Sequence, residues 1–236
     1  MTTVGLIGGT SWESTAVYYR LLNEGIRARR GGLHSAEILL HSLDFAPLAE
    51  HMTAGDWNSV GDVLAASARR LARGGADCIL LCTNTMHKVA DRIVAATELP
   101  FLDLVDLTAT AIAHSPSRRP LLLATGFTME QPFYRERLVK AGLAPIVPGE
   151  SDRAVVHEII FAELCRGVIS PQSKARFLEI IDREVRERGA DGVILGCTEI
   201  GLLISQADLA LPVFDTTALH VEAALDFALT AESQAA

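Results

Sequence analysis

The chain has 236 residues, 49% hydrophobic and 21% charged, enough to bury the core of one large domain or of two lobes. Lys and Arg total 21 against 29 for Asp and Glu, and the net charge of −8 excludes the basic footprint of a protein that binds nucleic acid or an anionic membrane surface. No apolar run approaches the roughly 20 residues that span a bilayer, Met1-Thr2-Thr3 runs straight into Val4-Gly5-Leu6-Ile7 without a basic leader, and four cysteines are too few for a disulfide scaffold; the expectation is a cytoplasmic protein whose thiols are sorted by reactivity.

Short β-rich apolar runs alternate with longer amphipathic ones, the pattern of a parallel sheet covered by helices, so the fold class is α/β. Residues 3–7 read as a strand and Gly8-Gly9-Thr10-Ser11 as a tight turn, after which Ser11 or Ser14 caps a helix carrying Tyr18, Tyr19, Leu21, Leu22 and Ile26. Strands follow at 37–42, 78–82, 121–124 and 192–195. Helices are expected at 57–73, 105–114, 130–141, 152–166, 173–188 and 217–229.

An internal repeat organises these elements. Gly75-Ala76-Asp77-Cys78-Ile79-Leu80-Leu81-Cys82-Thr83 returns as Gly189-Ala190-Asp191-Gly192-Val193-Ile194-Leu195-Gly196-Cys197-Thr198, with one residue inserted before the second Cys-Thr. Leu99-Pro100-Phe101-Leu102-Asp103 is echoed by Leu211-Pro212-Val213-Phe214-Asp215, and Tyr18-Tyr19-Arg20 by Phe133-Tyr134-Arg135. The repeat predicts two α/β lobes related by a pseudo-twofold, with Ser115-Pro116-Ser117-Arg118-Arg119-Pro120 as the candidate linker.

In open parallel sheets ligands bind beyond the carboxyl ends of the strands, where turns present backbone N–H groups. Cys82-Thr83-Asn84-Thr85 and Cys197-Thr198-Glu199 both follow such ends. A pseudo-twofold would set the two thiols on opposite faces of one carbon, an arrangement suited to removing a proton from one side and returning it on the other, that is, to racemisation. Cys78, inside a strand, and Cys165, on an apolar helix face, read instead as packing residues. Metal binding is a weak reading because no Cys or His pair accompanies Cys197, and no metal site is assigned. Gly5-Leu6-Ile7-Gly8-Gly9-Thr10 lacks the third glycine of a dinucleotide fingerprint; its N–H groups, with Thr10, Ser11, Asn84, Thr85, Thr125 and Thr198, suit a substrate carboxylate or helix capping about equally.

The segments Gly5–Thr15, Leu81–Lys88 and Gly196–Leu203 resemble the signatures of the aspartate/glutamate racemase family, which are cofactor-independent amino-acid racemases, and the likeness runs through nearly the whole chain. Through residues 18–25, 31–36 and 211–216 it is most similar to the bacterial branch that includes broad-specificity amino-acid racemases. The resemblance implies two Rossmann-like lobes, 1–100 with 213–236 and 101–212, an active site in the cleft between them, a homodimer and no cofactor. It assigns Cys82 and Cys197 as the catalytic pair, and Asn84, Thr85 and Thr198 to the α-carboxylate and amino group. Thr10, Ser11, Met52, Thr83, Thr125 and Glu199 complete the candidate contacts, with Lys174 as a side-chain or lid contact. The stretch 44–52 carries no Arg, in contrast to relatives that grip a side-chain carboxylate, so neutral amino acids are as plausible as aspartate or glutamate. A related isomerase of the maleate type, a non-catalytic amino-acid-binding protein and a nucleotide-binding module are the alternatives.

Overall fold

Val4–Gly8 (β1) is buried at all five positions, as an interior parallel strand covered on both faces must be. In the computed structural model, which describes residues 2–233, the chain continues through α1 (Trp12–Arg30), β2 (Ile38–Ser42), α2 (Phe45–Thr53), α3 (Trp57–Gly74), β3 (Cys78–Leu81), a 3₁₀ turn at Thr85–Val89 and α4 (Ala90–Val94). β1 lies between β2 and β3, all parallel, with Val4 opposite Ile38 and Cys78. Phe101 adds a parallel bridge to Ile79 on the far side of β3.

The second half is built by α5 (Leu104–Ala113), β4 (Pro120–Leu123), α6 (Gly126–Glu130), α7 (Pro132–Lys140), α8 (Glu150–Ala162), a 3₁₀ turn at Leu164–Arg166, α9 (Pro171–Arg188), β5 (Gly192–Leu195), 3₁₀ turns at Thr198–Leu202 and Gln206–Asp208, β6 (Val213–Asp215) and α10 (Thr216–Ser233). β5 lies between β4 and β6, again parallel, with Pro120 opposite Gly192 and Val193 opposite Val213. Two units result, one running to Leu104 and resuming at His220, the other spanning Val105–Leu219. No helix among the described residues is long and apolar enough to cross a membrane.

The repeat in the sequence is a repeat of pairing. The amide of Ile79 donates to the Pro100 carbonyl, and that of Val193 to the Pro212 carbonyl, each at 2.9 Å. Proline has no N–H to give to the ladder but a carbonyl that accepts, so the two Leu-Pro pairs mark equivalent edges. The aspartates of the two Gly-Ala-Asp segments likewise hold the entry to the first strand of each unit. Asp77 accepts from the Thr3 amide, while Asp191 accepts from the Ser117 hydroxyl and the Arg118 and Arg119 amides.

These bonds correct the expectation of a linker at 115–120: Ser117 is buried, and the stretch is bound to Asp191 within the second unit. The lobe boundaries also move from 100/101 and 212/213 to 104/105 and 219/220, because Phe101 pairs beside β3 and Val213 beside β5. The helix expected at 130–141 is broken at Gln131, whose extended backbone (ψ 145°) is what a residue before proline prefers. The helix expected at 152–166 runs from Glu150 to Ala162 and passes into the 3₁₀ turn.

The core of the first unit joins β1 and β3 to α1 and α10. Tyr18, Leu22 and Ile26 lie at four-residue spacing on α1, fully buried with Val221, Ala224, Leu225 and Ala228 of α10. Each Val, Leu or Ile side chain among them contributes on the order of 1.5–3 kcal/mol by burial. The helices touch at Gly25, where a β-carbon would come within 2.2 Å of the Leu225 side chain. His220 opens this stretch of α10; burial, reinforced by the neighbouring His87, pushes its pKa down from 6.5 to about 3, against weaker opposing contributions from the Leu102 carbonyl and Asp103. The unfolded chain therefore binds a proton here that the native chain refuses. Stability from this group is complete above about pH 6.5 and falls as the pH drops toward 3, by up to about 1.4 kcal/mol per pH unit. Urea midpoints should drop between pH 7 and pH 5, and His220→Gln should flatten that slope; an unchanged slope would show that His220 does not control it.

Candidate active site

In the first unit the candidate residues gather where β1 and β3 end. The Cys82 amide donates to the Ile7 carbonyl at 2.9 Å, which carries the ladder one residue past β3, and the Cys82 carbonyl accepts from the Ser14 hydroxyl at 3.1 Å. Ser11 caps α1 by accepting from the Ser14 amide, and the Thr15 hydroxyl accepts from the Gly9 amide while donating to the Ser11 carbonyl. Ser11 has a φ of 86°, the only positive φ at a non-glycine among the described residues, so the turn holds a strained backbone beside the candidate thiol's strand. Thr10, Asn84 and Thr85 are all buried. The Thr10 hydroxyl has no hydrogen-bond partner among the described residues, a cost of about 1–3 kcal/mol that a ligand's polar group would remove.

The Cys82 thiol itself is fully buried, among Leu6, Tyr18, Leu22, Cys78, Leu80 and Val221. Burial raises its pKa well above the usual thiol range, and raises that of Cys78 to about 12. Cys78 packs in the core as expected. Thr83 is half-buried, its carbonyl 2.7 Å from His87 Nδ1, and Met52 is buried on α2, which Asp44 caps by accepting from the Ala46 amide.

In the second unit the Gly196 amide donates to the Leu123 carbonyl at 2.8 Å, as the Cys82 amide does to Ile7, so the inserted residue puts Cys197 one position further along its strand end. Gly196 makes a close approach there: a β-carbon would lie about 3 Å from Leu122, Ala124 and the Leu123 carbonyl. Cys197 is half-buried, and its thiol donates to Glu199 Oε2 at 2.9 Å. The other oxygen, Oε1, lies 3.7 Å from Cys165 Sγ. Burial first, and then the negative charge of Glu199 and the proximity of Cys165, push the Cys197 thiol well above its ordinary pKa. Thr125, Thr198 and Glu199 are buried in this unit.

Two features of the second unit were not readable from spacing. Cys165, expected as packing on an apolar helix face, lies on the 3₁₀ turn after α8, half-buried, and shares a carboxylate with Cys197. Asp215 and Thr217 form a further polar pair at the start of α10: the Asp215 carboxylate, pushed upward by burial, accepts from the Thr217 and Ala218 amides, and the buried Thr217 hydroxyl has no partner among the described residues. Lys174, in the first turn of α9, makes a 2.6 Å ion pair with Asp208. Thr10, Ser11, Met52, Cys82, Thr83, Asn84 and Thr85 thus belong to the first unit, and Thr125, Lys174, Cys197, Thr198 and Glu199 to the second.

Residues 7–224 match the family model described as Asp/Glu/Hydantoin racemase. A crystal structure described as a candidate Asp/Glu racemase from Yersinia pestis is 47% identical, with a TM-score of 0.89 over 97% of this chain and 100% of that one. An aspartate racemase homologue from Pyrococcus horikoshii OT3 is 32% identical, with a TM-score of 0.86 over 97% and 99%. The broad specificity amino-acid racemase RacX of Bacillus subtilis is 24% identical over 151 residues, which span 64% of each chain.

Proposed function

Because the chain belongs to the Asp/Glu/Hydantoin racemase family, we propose that it interconverts the enantiomers of α-amino acids, without pyridoxal phosphate, using Cys82 and Cys197 as a pair of acid/base groups. The observation that carries the reading is the repeat itself. Equivalent strands of the two units, β3 and β5, each run out into a Cys-Thr pair beside a buried hydroxyl-bearing turn.

With both thiols raised by burial, each is a neutral thiol at neutral pH before substrate binds. A thiolate has to be made on binding. A substrate α-ammonium next to a buried thiol favours its ionised form, and the Glu199 carboxylate, already hydrogen-bonded to Cys197, is placed to take the proton that Cys197 loses. Cys197 thiolate then removes the Cα proton while the Cys82 thiol donates its own to the opposite face, leaving the roles exchanged for the other enantiomer. General base catalysis supplies about 10² to 10⁴ in rate, so the larger share comes from donors at the carboxylate as it becomes enolate-like. The Thr10 hydroxyl and the turn amides are candidates for that role.

The substrate set is aspartate and glutamate or a wider range. Residues 44–52 hold no Arg, and Asp44 is occupied as the cap of α2, which favours the wider range. A homodimer, from the family resemblance, and a cytoplasmic location, from the composition and apolar patterning, accompany this reading. The test is a panel of L-amino acids incubated with the protein, without pyridoxal phosphate, and resolved by chiral chromatography. D-enantiomer should accumulate from at least one of them to an equilibrium ratio near one, and no conversion from any would overturn the assignment.

A further inference from the structure

Two histidines beside the Cys82 turn take no part in the chemistry above, yet all four of their ring nitrogens are engaged. His87 Nδ1 lies 2.7 Å from the Thr83 carbonyl, and His87 Nε2 accepts from the Leu104 amide at 3.2 Å. His220 Nε2 lies 2.7 Å from the Leu102 carbonyl, and His220 Nδ1 lies 2.9 Å from the Tyr18 hydroxyl. A carbonyl accepts and an amide donates, so these partners determine the protons: His87 carries its hydrogen on Nδ1 and His220 on Nε2. The rings stand 6.1 Å apart, inclined at 70°, with Phe101 against His87 and Tyr18 edge-on to His220.

The backbone groups they hold belong to irregular segments. Thr83 is the residue between Cys82 and Asn84; Leu104 is the last residue before the chain leaves the first unit, and His220 is the first after it returns. Apolar side chains would fill this interior as well, without two imidazoles and a phenol to satisfy. What the polar groups add is direction, since each bond fixes one main-chain group at one angle.

We propose that His87 and His220 are a positioning pair, a clamp of fixed tautomers that holds the Thr83 carbonyl, and with it the main chain carrying Cys82, Asn84 and Thr85, to the residues at which the chain leaves and re-enters the first unit. The geometry is independent of the racemase reading; the catalytic consequence rests on it. A displacement of the thiol by about 1 Å is worth up to about 10²-fold in rate.

Two substitutions at one site separate positioning from packing. In His87→Asn the amide nitrogen takes the place of Nδ1 and keeps the bond to Thr83; in His87→Gln the amide reaches toward Leu104 and Thr83 is released. Both should lose thermal stability to a similar extent. His87→Asn should keep kcat within about threefold, whereas His87→Gln should lose kcat by about 10- to 100-fold with KM changed far less. Hydrogen exchange at the amides of 82–86 should accelerate only in His87→Gln, and ¹⁵N ring shifts of the unaltered protein should show the Nδ1–H form for His87 and the Nε2–H form for His220. Equal kcat and equal exchange in the two variants, or the opposite tautomers, would overturn the clamp. If the unaltered protein racemises nothing in the panel, the function fails on that result alone, and exchange and tautomers still decide the clamp.

Discussion

Cys82→Ala and Cys197→Ala should each abolish the interconversion of enantiomers, lowering the rate by at least about 10²-fold, while leaving the fold in place. The two variants should not be equivalent in deuterated solvent. A chain that keeps only Cys197 can still withdraw the Cα proton from one enantiomer and return deuterium to the same face, so slow exchange of one enantiomer without inversion is expected; the chain that keeps only Cys82 should show the opposite preference. Wild-type interconversion in either variant would refute the two-base scheme. The control lies in the same core: Cys78 shares the face of β3 with Cys82, four residues earlier, and is as fully buried. Cys78→Ala removes the same atoms from the same cluster, at a cost on the order of 1 kcal/mol, and should leave turnover intact. A loss common to Cys78→Ala and Cys82→Ala would mean that packing, not proton transfer, had been measured. Cys165→Ala should also turn over, since Cys165 shares the Glu199 carboxylate without being one of the proposed acid/base pair.

That distinction between a packed thiol and a working one shows where sequence reasoning reaches. β1, β3, β4 and β5 were legible because a strand buried on both faces is a continuous apolar run, and the equivalence of β3 and β5 because the Gly-Ala-Asp and Leu-Pro segments that flank them are tied to the same ladder positions in both units. β6 went unseen: it has three residues, and its place is set by pairing with β5 rather than by its own pattern. α2 was hidden by Pro47, which reads as a helix breaker but sits in the first turn, where its missing N–H has no intrahelical partner to lose. At the site, the two Cys-Thr pairs were visible as a repeat. The sharing of Glu199 by Cys197 and Cys165 was not, because the two thiols are brought to one carboxylate by the packing of the turn after α8 against the turn after β5. Nor was the depth of Cys82, which depends on α1 and α10 closing over it.

The turn that supplies Thr10 and Ser11 depends on Gly9. Gly9→Ala should destabilise the protein severely, by about 3 kcal/mol or more. Two costs combine there. Gly9 has a φ of +83°, where an L-residue pays about 1–2 kcal/mol, and a β-carbon would sit 2.1 Å from the Leu43 carbonyl oxygen and 2.3 Å from the Leu43 nitrogen. Those atoms cannot rotate away as a side chain would, because the Leu43 amide is bonded to the Gly8 carbonyl at 3.0 Å and continues the pairing of β2 with β1. The first cost can be measured by itself. Gly189, in the left-handed α region (φ +67°, ψ 41°), has nothing within 4 Å of its would-be β-carbon, so Gly189→Ala should lose only the conformational part, about 1–2 kcal/mol. Denaturant midpoints for the two variants give the steric term by difference, and equal losses would show that Leu43 yields. If Gly9→Ala folds at all, the relief of its clash must move Leu43 or the turn; because Gly9 immediately precedes Thr10 and its amide is held by Thr15, the variant should also lose affinity for the substrate carboxylate, seen as a raised KM.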